Sequence, residues 1–172
     1  MDLIESLQDI VGPKGLLTGD DVSARPNLSW GQGSCEAKAI VRPASTEELS
    51  RVMRLCNERG QPVVPGGGLT GLVNGTTASP EDIVVSLERM NEIEHFDAEA
   101  GTMTVQAGAI LQNVQDAARE GGWMFAVDFG ARGSAHIGGL ISTNAGGNSV
   151  VRYGMAREQI LGLEVVLADG RK

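Results

Sequence analysis

Two glycine-rich segments carry the residues of this chain that are best suited to hold a ligand. The first comprises Pro65, Gly66, Gly67, Gly68, Leu69, Thr70 and Gly71. Glycine lacks a Cβ atom, so its backbone can adopt positive φ and approach a ligand closely. Consecutive N–H groups in a concave loop bind anions without needing a lysine. The first segment therefore predicts a pyrophosphate loop, with a plain glycine turn between two strands as the alternative.

The usual phosphate-binding fingerprints are absent from this first segment. Leu72 follows Gly71, where a Walker A loop has Gly-Lys-Ser or Gly-Lys-Thr. No GxGxxG spacing opens a helix with an acidic residue about twenty positions later. The sequence thus argues against a P-loop nucleoside triphosphatase and against a Rossmann dinucleotide fold.

The second segment combines glycines with side chains that form hydrogen bonds. It includes Asp128, Gly130, Ser134, Ile137, Gly138, Gly139, Thr143, Asn144, Ala145, Gly146 and Gly147, of which Ser134, Thr143 and Asn144 carry side chains suited to bond a ligand. The run offers little apolar area to bury, whereas ordering each backbone residue costs roughly 1 to 2 kcal/mol. A bound cofactor could supply the missing stabilisation through the hydroxyl and amide groups. The alternative is a tightly packed backbone crossing, but two such segments together predict one large phosphate-bearing ligand.

Four stretches follow one another in an order that resembles a known family. They are residues 63–73 around the first glycine loop, residues 133–147 around Ile-Gly-Gly and Thr-Asn-Ala-Gly-Gly, Arg-Tyr-Gly at 152–154, and residues 161–170. This order resembles the FAD-binding domain of the vanillyl-alcohol oxidase (PCMH-type) flavoproteins. Within them the chain is similar to the branch of D-2-hydroxyglutarate dehydrogenase, D-lactate dehydrogenase and the glycolate oxidase FAD subunit.

The resemblance implies an α+β fold of two lobes with FAD between them. A small α/β lobe would occupy residues 35–100, and an antiparallel-sheet lobe residues 101–172, after an N-terminal helix and irregular lead at 1–34. The second lobe is expected to be incomplete, because the sequence stops just after an Asp169-Gly170 turn. Family members continue beyond this point, completing that lobe and adding a substrate-binding cap.

The resemblance also assigns roles to segments of this chain. Residues 65–71 resemble the pyrophosphate loop, and residues 128–134 with 137–139 resemble the strand and turn that line the flavin and its phosphate arm. Residues 143–147 resemble the segment beneath the isoalloxazine, and Val165 in a closing strand resembles a backbone contact to the adenine or ribitol end. The chain departs from the family at Leu69 and Asn74, where Asn and Gly are common.

Noncovalent FAD is expected, because some relatives tether the flavin through a histidine in the first loop and this loop has none. The chain contains only His95, expected to face solvent on a strand, and His136. No residue is expected to be catalytic and no metal site is expected. In relatives the base, the arginine for the substrate carboxylate and any metal ligands come from the missing part.

Composition narrows the classes of partner and compartment. The chain of 172 residues carries 14 Lys and Arg against 22 Asp and Glu, a net charge of −8. That charge argues against nucleic acid and anionic membranes as partners. Cys35 and Cys56 have no CxxC spacing and are expected to be free thiols in a reducing cytosol. No signal peptide or membrane-spanning run is recognisable, so a cytoplasmic location is expected.

Periodicity predicts the elements that must position the two segments. Helices are expected at 3–11, from a Ser45–Glu48 capping box to Gly60, and at 110–119. Strands are expected at 35–41, at Val63, and at 83–85, 93–96, 102–105 and 161–167. The stretch 15–33 reads as irregular.

Three functions are compatible with these observations. The first is the FAD-binding domain of a dehydrogenase that oxidises a D-2-hydroxy acid by hydride transfer to flavin N5, with an unidentified electron acceptor. The second is a noncatalytic FAD or nucleotide-binding module that acts with a separate substrate-domain chain. The third is a reductase of the same superfamily acting on a UDP-sugar, against which the 161–170 ending argues.

Overall fold

The computed structural model describes residues 2–27 and 33–172, so residues 28–32 of the predicted irregular lead lie outside the described residues. Helices in the described part are α1 (Leu3–Val11), α2 (Asp20–Ser23), α3 (Thr46–Glu58), α4 (Leu111–Glu120), α5 (Ile137–Ser142) and α6 (Val150–Tyr153). Strands there are β1 (Leu16–Leu17), β2 (Ala39–Val41), β3 (Val63–Gly66), β4 (Ile83–Ser86), β5 (Ile93–Asp97) and β6 (Thr102–Val105).

The chain divides into two compact units. The first unit comprises Met1–Arg89 with Glu164–Lys172, and the second comprises Met90–Leu163. The first contains a four-stranded sheet with helices and the second a two-stranded antiparallel sheet, so the predicted pairing of an α/β part with an antiparallel part is confirmed. The predicted lobe boundary at residue 101 falls in the turn between β5 and β6. The two units are defined by compactness, whereas the predicted lobes were defined by how they would hold FAD. The predicted bounds of the lobes therefore stay a prediction.

The sheet of the first unit has the order β1-β2-β4-β3. Strands β2 and β3 both run parallel to β4, with Val41 opposite Val85 and Val63 opposite Ile83. Strand β1 adds to β2 in antiparallel fashion. Because successive side chains on a strand point to opposite faces, the sheet supplies two separate cores.

One face of this sheet packs against α1 and α3. Leu7 of α1, Val52 and Cys56 of α3, and Val41 and Ile83 of the sheet are all almost fully buried. Complete burial of such a side chain contributes roughly 1.5 to 3 kcal/mol. On the opposite face, Ile40 of β2 and Val84 of β4 lie side by side in the sheet. They belong to a smaller buried cluster, which comprises Val22, Cys35, Ala37, Ile40, Ala78 and Val84.

The first turn of α3 is capped by two side chains. The Ser45 hydroxyl accepts a hydrogen bond from the Glu48 N–H at 3.2 Å. The Glu48 carboxylate accepts one from the Ala44 N–H at 2.8 Å. In the predicted capping box, the Glu48 carboxylate accepts from the Ser45 N–H. The structure differs by one residue, since the donor to Glu48 is the Ala44 N–H. The position of the helix itself is confirmed.

A charged cluster ties the N-terminal lead to the sheet of the first unit. Both terminal nitrogens of Arg25 donate to the Glu88 carboxylate, at 3.0 and 3.2 Å, and Arg42 donates to it at 2.9 Å. Partial burial raises the pKa of Glu88, but the bonds and charges of Arg42 and Arg25 outweigh this, so its pKa is lowered overall. The lead is therefore held by an ion-pair network, and it also contains β1 and α2 where an irregular stretch was predicted.

The second unit begins with the β5–β6 hairpin, in which Phe96 pairs with Met103. Gly101 turns the hairpin at φ +66°. The Trp123 ring covers this glycine, and its indole N–H donates to the Ala98 carbonyl at 2.8 Å. Helix α4 then buries its apolar face in a core that includes the following side chains: Leu111, Val114, Val127, Ala135, Ile137 and Leu140.

The strand predicted at 161–167 is wrong. Leu161, Leu163, Val165 and Leu167 are all exposed, and no strand is assigned after β6 in the described residues. Their alternation is the pattern of a half-buried strand, but a strand also needs a hydrogen-bonded neighbour. The predicted Asp169-Gly170 turn is confirmed, since the Leu167 N–H donates to the Arg171 carbonyl at 2.8 Å.

Candidate cofactor site

The first glycine segment begins inside a strand. Pro65 and Gly66 are the last residues of β3 and lie opposite Val85 and Ser86 of β4. A Cβ atom on Gly66 would come within 3.0 Å of Val84, so close packing in the sheet favours glycine there. The loop proper therefore starts at Gly67, two residues later than predicted.

Leu69 adopts the left-handed backbone conformation, with φ 51°. This region is uncommon for residues with a Cβ atom, and Asn is among the side chains that enter it most readily. Leu69, which stands where Asn is common in the family, therefore holds a backbone conformation that suits Asn better than Leu. After Gly71, where a Cβ atom would meet open space, Leu72 and Val73 are 76% and 72% exposed. The loop lies on the surface of the first unit.

The second segment starts with a turn and not with the predicted strand. Residues 128–134 pair with one another through the Arg132 N–H to the Phe129 carbonyl at 3.1 Å, and the Ser134 N–H to the Ala131 carbonyl at 2.9 Å. The N–H and carbonyl groups in these two bonds pair within the turn, so they are not available to pair with a neighbouring strand. Gly130 and Ser134 are both exposed on this turn.

Asp128 joins this turn to the end of the segment. Its carboxylate accepts from Arg132 at 2.6 Å and from Asn148 at 3.4 Å, and its carbonyl accepts the Asn148 N–H at 2.8 Å. The bond from Arg132 is the main reason that the pKa of Asp128 is lowered, and bonds from Gln115 and Asn148 add to it against partial desolvation. Asp128 therefore remains an anion that its own chain already surrounds with donors.

Helix α5 replaces the glycine turn predicted around residues 137–139. Ile137 is 3% exposed and belongs to the core, so only its backbone could face a ligand. Gly138 donates its N–H to the Ala107 carbonyl at 2.7 Å, and a Cβ atom there would lie 2.9 Å from the Ala107 side chain. Gly139 is exposed, and a Cβ atom on it would meet nothing.

The polar residues after α5 form bonds within the chain. The Thr143 hydroxyl donates to the Gly139 carbonyl at 3.1 Å. Asn144 has φ 50°, and its side-chain oxygen accepts the Arg157 N–H at 2.9 Å. The Ala145 carbonyl accepts the Ala156 N–H at 2.9 Å. These contacts fix the backbone of residues 143–145.

Eight glycines of the two segments fall into two groups. Gly66, Gly138, Gly146 and Gly147 are each pressed against another part of the chain, so the fold itself accounts for them. Gly71, Gly130, Gly133 and Gly139 have neither a positive φ nor a neighbour that a Cβ atom would touch. Packing among the described residues does not account for this second group. A ligand that approaches the backbone at these positions would explain it.

The candidate residues belong to different units. Residues 128–134, 137–139 and 143–147 come together within the second unit. Residues 65–71 belong to the first unit, as does Val165, which is 51% exposed and lies outside any strand. Each unit thus presents its own glycine segment.

Gln115 is the residue of this region that sequence reasoning missed. It lies on the buried face of α4 at 8% exposure and bonds to the chain at residues 127 and 128. The available signal was a polar amide at an apolar position of an amphipathic helix, between Leu111 and Ala118.

Neither a metal centre nor a reactive thiol emerges from the described residues. No group of three or more His, Cys, Asp or Glu side chains able to hold a metal ion occurs among them. Cys35 and Cys56 are free and buried, and burial raises the pKa of the Cys56 thiol. His95 is exposed on β5, as predicted. In the part of the chain that is described, no helix is both long and apolar enough to cross a membrane.

Comparison with known proteins agrees with this architecture. D-2-hydroxyglutarate dehydrogenase, mitochondrial, from Danio rerio is 44% identical over 161 residues, covering 92% of this chain and 30% of the relative. D-2-hydroxyglutarate dehydrogenase from Xanthomonas citri pv. viticola is 51% identical over 132 residues, covering 77% of this chain and 28% of the relative. The chain thus spans about 30% of the length of these curated relatives.

The fold is also known from solved structures. The crystal structure of Phl p 4, a grass pollen allergen with glucose dehydrogenase activity, matches with a TM-score of 0.85 at 18% identity, covering 99% of this chain and 37% of that one. Residues 37–172 match the sequence profile of the family described as FAD binding domain. The protein therefore belongs to the FAD binding domain family of flavoproteins.

Proposed function

We propose that this chain is the FAD-binding part of a flavoprotein dehydrogenase that oxidises a D-2-hydroxy acid. The observation that carries the proposal is the group of glycines at 71, 130, 133 and 139, which packing among the described residues does not explain. The relatives from Danio rerio and Xanthomonas citri, both named D-2-hydroxyglutarate dehydrogenase, favour D-2-hydroxyglutarate within that substrate class.

FAD is proposed to bind through both glycine segments, largely by backbone contacts. The proposed cofactor-binding residues are Pro65, Gly66, Gly67, Gly68, Leu69, Thr70, Gly71, Asp128, Gly130, Ser134, Ile137, Gly138, Gly139, Thr143, Asn144, Ala145, Gly146, Gly147 and Val165. Backbone N–H groups suit the two phosphates because consecutive N–H donors in a concave loop bind anions without a lysine.

Bound FAD would supply the acceptor for a hydride from the α-carbon of the substrate. This chain's own residues would bind and orient the cofactor and keep water from it. The base that takes the hydroxyl proton and the groups that hold the substrate carboxylate are proposed to come from a C-terminal domain. A module acting with a separate substrate-domain chain is less favoured, because the relatives carry this domain within much longer single chains.

Noncovalent attachment of FAD is part of the proposal, since the 65–71 loop has no histidine to form a tether. The test is to load the purified chain with FAD, remove free cofactor and record the absorption spectrum. The protein is then precipitated with acid. All flavin is expected in the supernatant. Flavin on the denatured pellet would contradict noncovalent attachment, and a chain that takes up no FAD at micromolar concentrations would contradict the whole proposal.

A cytoplasmic location also stays a proposal. The free thiols of Cys35 and Cys56 suit a reducing compartment such as the cytosol, whereas the Danio rerio relative is named as mitochondrial. Fractionation of cells that express the native gene, followed by immunodetection, would decide between the two compartments.

A further inference from the structure

Helix α4 buries one strongly polar side chain among apolar ones. Leu111, Val114 and Ala118 form its apolar face, and Gln115 lies on that same face at 8% exposure. An amide removed from water destabilises a protein unless its polar atoms find partners. A buried Gln at this position therefore needs a hydrogen-bond partner placed at the right distance and angle. An aliphatic residue would need none.

The side-chain amide of Gln115 bonds to two residues at the start of the second glycine segment. Its Nε2 donates to the Val127 carbonyl at 2.8 Å and lies 3.4 Å from Oδ1 of Asp128. Val127 is 3% exposed, so water does not readily replace the amide at its carbonyl. The first of these bonds has the geometry of a strong neutral hydrogen bond, and the second is a weaker contact to an anion.

These bonds reach the cofactor-facing turn through Asp128. The carboxylate that Gln115 touches also receives Arg132, from the 128–134 turn, and Asn148, from the end of the segment. Gln115 thus approaches from the core, while Arg132 and Asn148 approach from the surface. The three donors together hold Asp128, the first residue of the turn, close to α4.

We propose that Gln115 is a positioning residue for FAD, acting through the Val127 carbonyl and the Asp128 carboxylate to hold the 128–134 turn in its binding conformation. The inference rests on the proposed function, because it presupposes that this turn faces FAD. Gln115 is buried behind the turn, so it would act through residues 127 and 128 and not by direct contact with FAD. Its loss should change the binding of FAD more than the folding of the chain.

The test compares Gln115→Met with Gln112→Met in the full 172-residue chain. Methionine keeps the length and volume of glutamine but has no donor. Gln112 lies one turn away on the same helix, and its side-chain amide bonds to Asp116, not to residues 127 and 128. Its backbone N–H donates to the Arg132 carbonyl, and the substitution keeps that bond. Each variant is titrated with FAD by flavin fluorescence, and the absorption spectrum of the bound flavin is recorded at saturation. Amide hydrogen exchange of residues 127–134 is followed without FAD.

We expect Gln115→Met to weaken FAD binding by at least about tenfold, because a turn that has lost this bond must be ordered when FAD binds, and ordering a backbone residue costs roughly 1 to 2 kcal/mol. Its saturated spectrum should differ from that of the wild type, and exchange should be faster at 127–134 but unchanged in the first unit. Gln112→Met should match the wild type in all three measurements. Should Gln115→Met fail to fold, Gln115→Asn decides, because its shorter amide cannot reach the Val127 carbonyl.

The outcomes separate this inference from the function on which it rests. A wild-type chain that binds no FAD would overturn both. A wild-type chain that binds FAD, with Gln115 variants of equal affinity and identical bound spectrum, would overturn the positioning role alone. So would equal losses of affinity in the Gln112 and Gln115 variants, since the effect would then belong to the helix in general.

Discussion

Gly147 lies directly against the main chain of Asp128. A Cβ atom on Gly147 would overlap the carbonyl oxygen and carbon of Asp128, and the next residue, Asn148, donates its N–H to that same carbonyl. The end of the glycine segment is thus packed on its beginning. This close approach is made entirely by the main chain of these two residues.

Gly147→Ala is therefore expected to destabilise the second unit. Overpacking against a fixed backbone costs typically about 1 to 3 kcal/mol. Urea denaturation of the apoprotein, followed by circular dichroism, measures the change in free energy of unfolding. Gly130→Ala is the matched control, because a Cβ atom there would meet open space. Equal stability of the two variants would contradict the packing argument.

Gly139→Ala is expected to weaken FAD binding without lowering the stability of the chain. The added methyl group would lie more than 4 Å from the described residues other than its chain neighbours and the backbone of α5, and alanine favours a helix over glycine by about 1 kcal/mol. The apoprotein should be at least as stable as the wild type, while affinity for FAD falls at least about tenfold because the methyl group occupies space needed by the cofactor. Thermal unfolding and FAD titration of the same preparation check both halves. Wild-type affinity would remove Gly139 from the proposed site.

Leu69→Asn is expected to stabilise the first unit. Leu69 has φ 51°, a conformation that costs a residue with a bulky side chain roughly 1 kcal/mol and that Asn adopts more readily. Leu72→Asn is the control, since Leu72 lies in the same loop, is 76% exposed and has no positive φ. Chemical denaturation should give a higher free energy of unfolding for Leu69→Asn only. A lower value would mean that the lost apolar contacts of Leu69 outweigh the strain.

Glu88→Gln is expected to lower stability near neutral pH and not in acid. The Arg42 and Arg25 guanidinium groups hold the pKa of Glu88 below its usual value despite partial burial. A depressed pKa adds stability above the unfolded-state pKa of about 4.3, and this stability is lost as pH falls through the lower folded-state pKa. The difference in free energy of unfolding between wild type and variant should thus be constant from pH 7 to about 5 and shrink below about pH 4. The same series with exposed Glu99→Gln should show a smaller difference throughout.

The FAD-loaded chain is expected not to oxidise D-2-hydroxyglutarate. It spans about 30% of the relatives that carry the name of that activity. Orienting the substrate against the flavin contributes roughly 7 to 11 kcal/mol in enzymes, and the groups proposed to do so lie outside these residues. Dye reduction with D- and L-2-hydroxyglutarate measures this. Sustained reduction with the D enantiomer alone would place a base within this chain.

Local pattern sufficed for much of the fold. Helix α1 was predicted at its observed bounds, because Leu3, Leu7 and Val11 recur at helical spacing before a Gly-Pro stop. The β5–β6 strands were also predicted, since their alternation comes with a partner strand close by in sequence.

Interactions distant in sequence account for the failures. Helix α5 contains two glycines, which a propensity argument assigns to a turn, yet its first turn is held by the Ala107 and Ala109 carbonyls. The strand predicted at 161–167 has the right alternation but no neighbour to bond. The site shows the same division: composition located both glycine segments, but only the packing separates Gly147, which the fold requires, from Gly139, which it does not.

The order β1-β2-β4-β3 sets when this sheet can form during synthesis on the ribosome. Strands β2 and β3 leave the exit tunnel before β4, but each bonds to β4 and not to the other. Both must therefore wait, with their parallel edges unsatisfied, until Ser86 has emerged. Nascent chains arrested before that point expose Val41 and Val63 to chaperones, and a pause just beyond it would allow the central strand to insert between two that are already waiting.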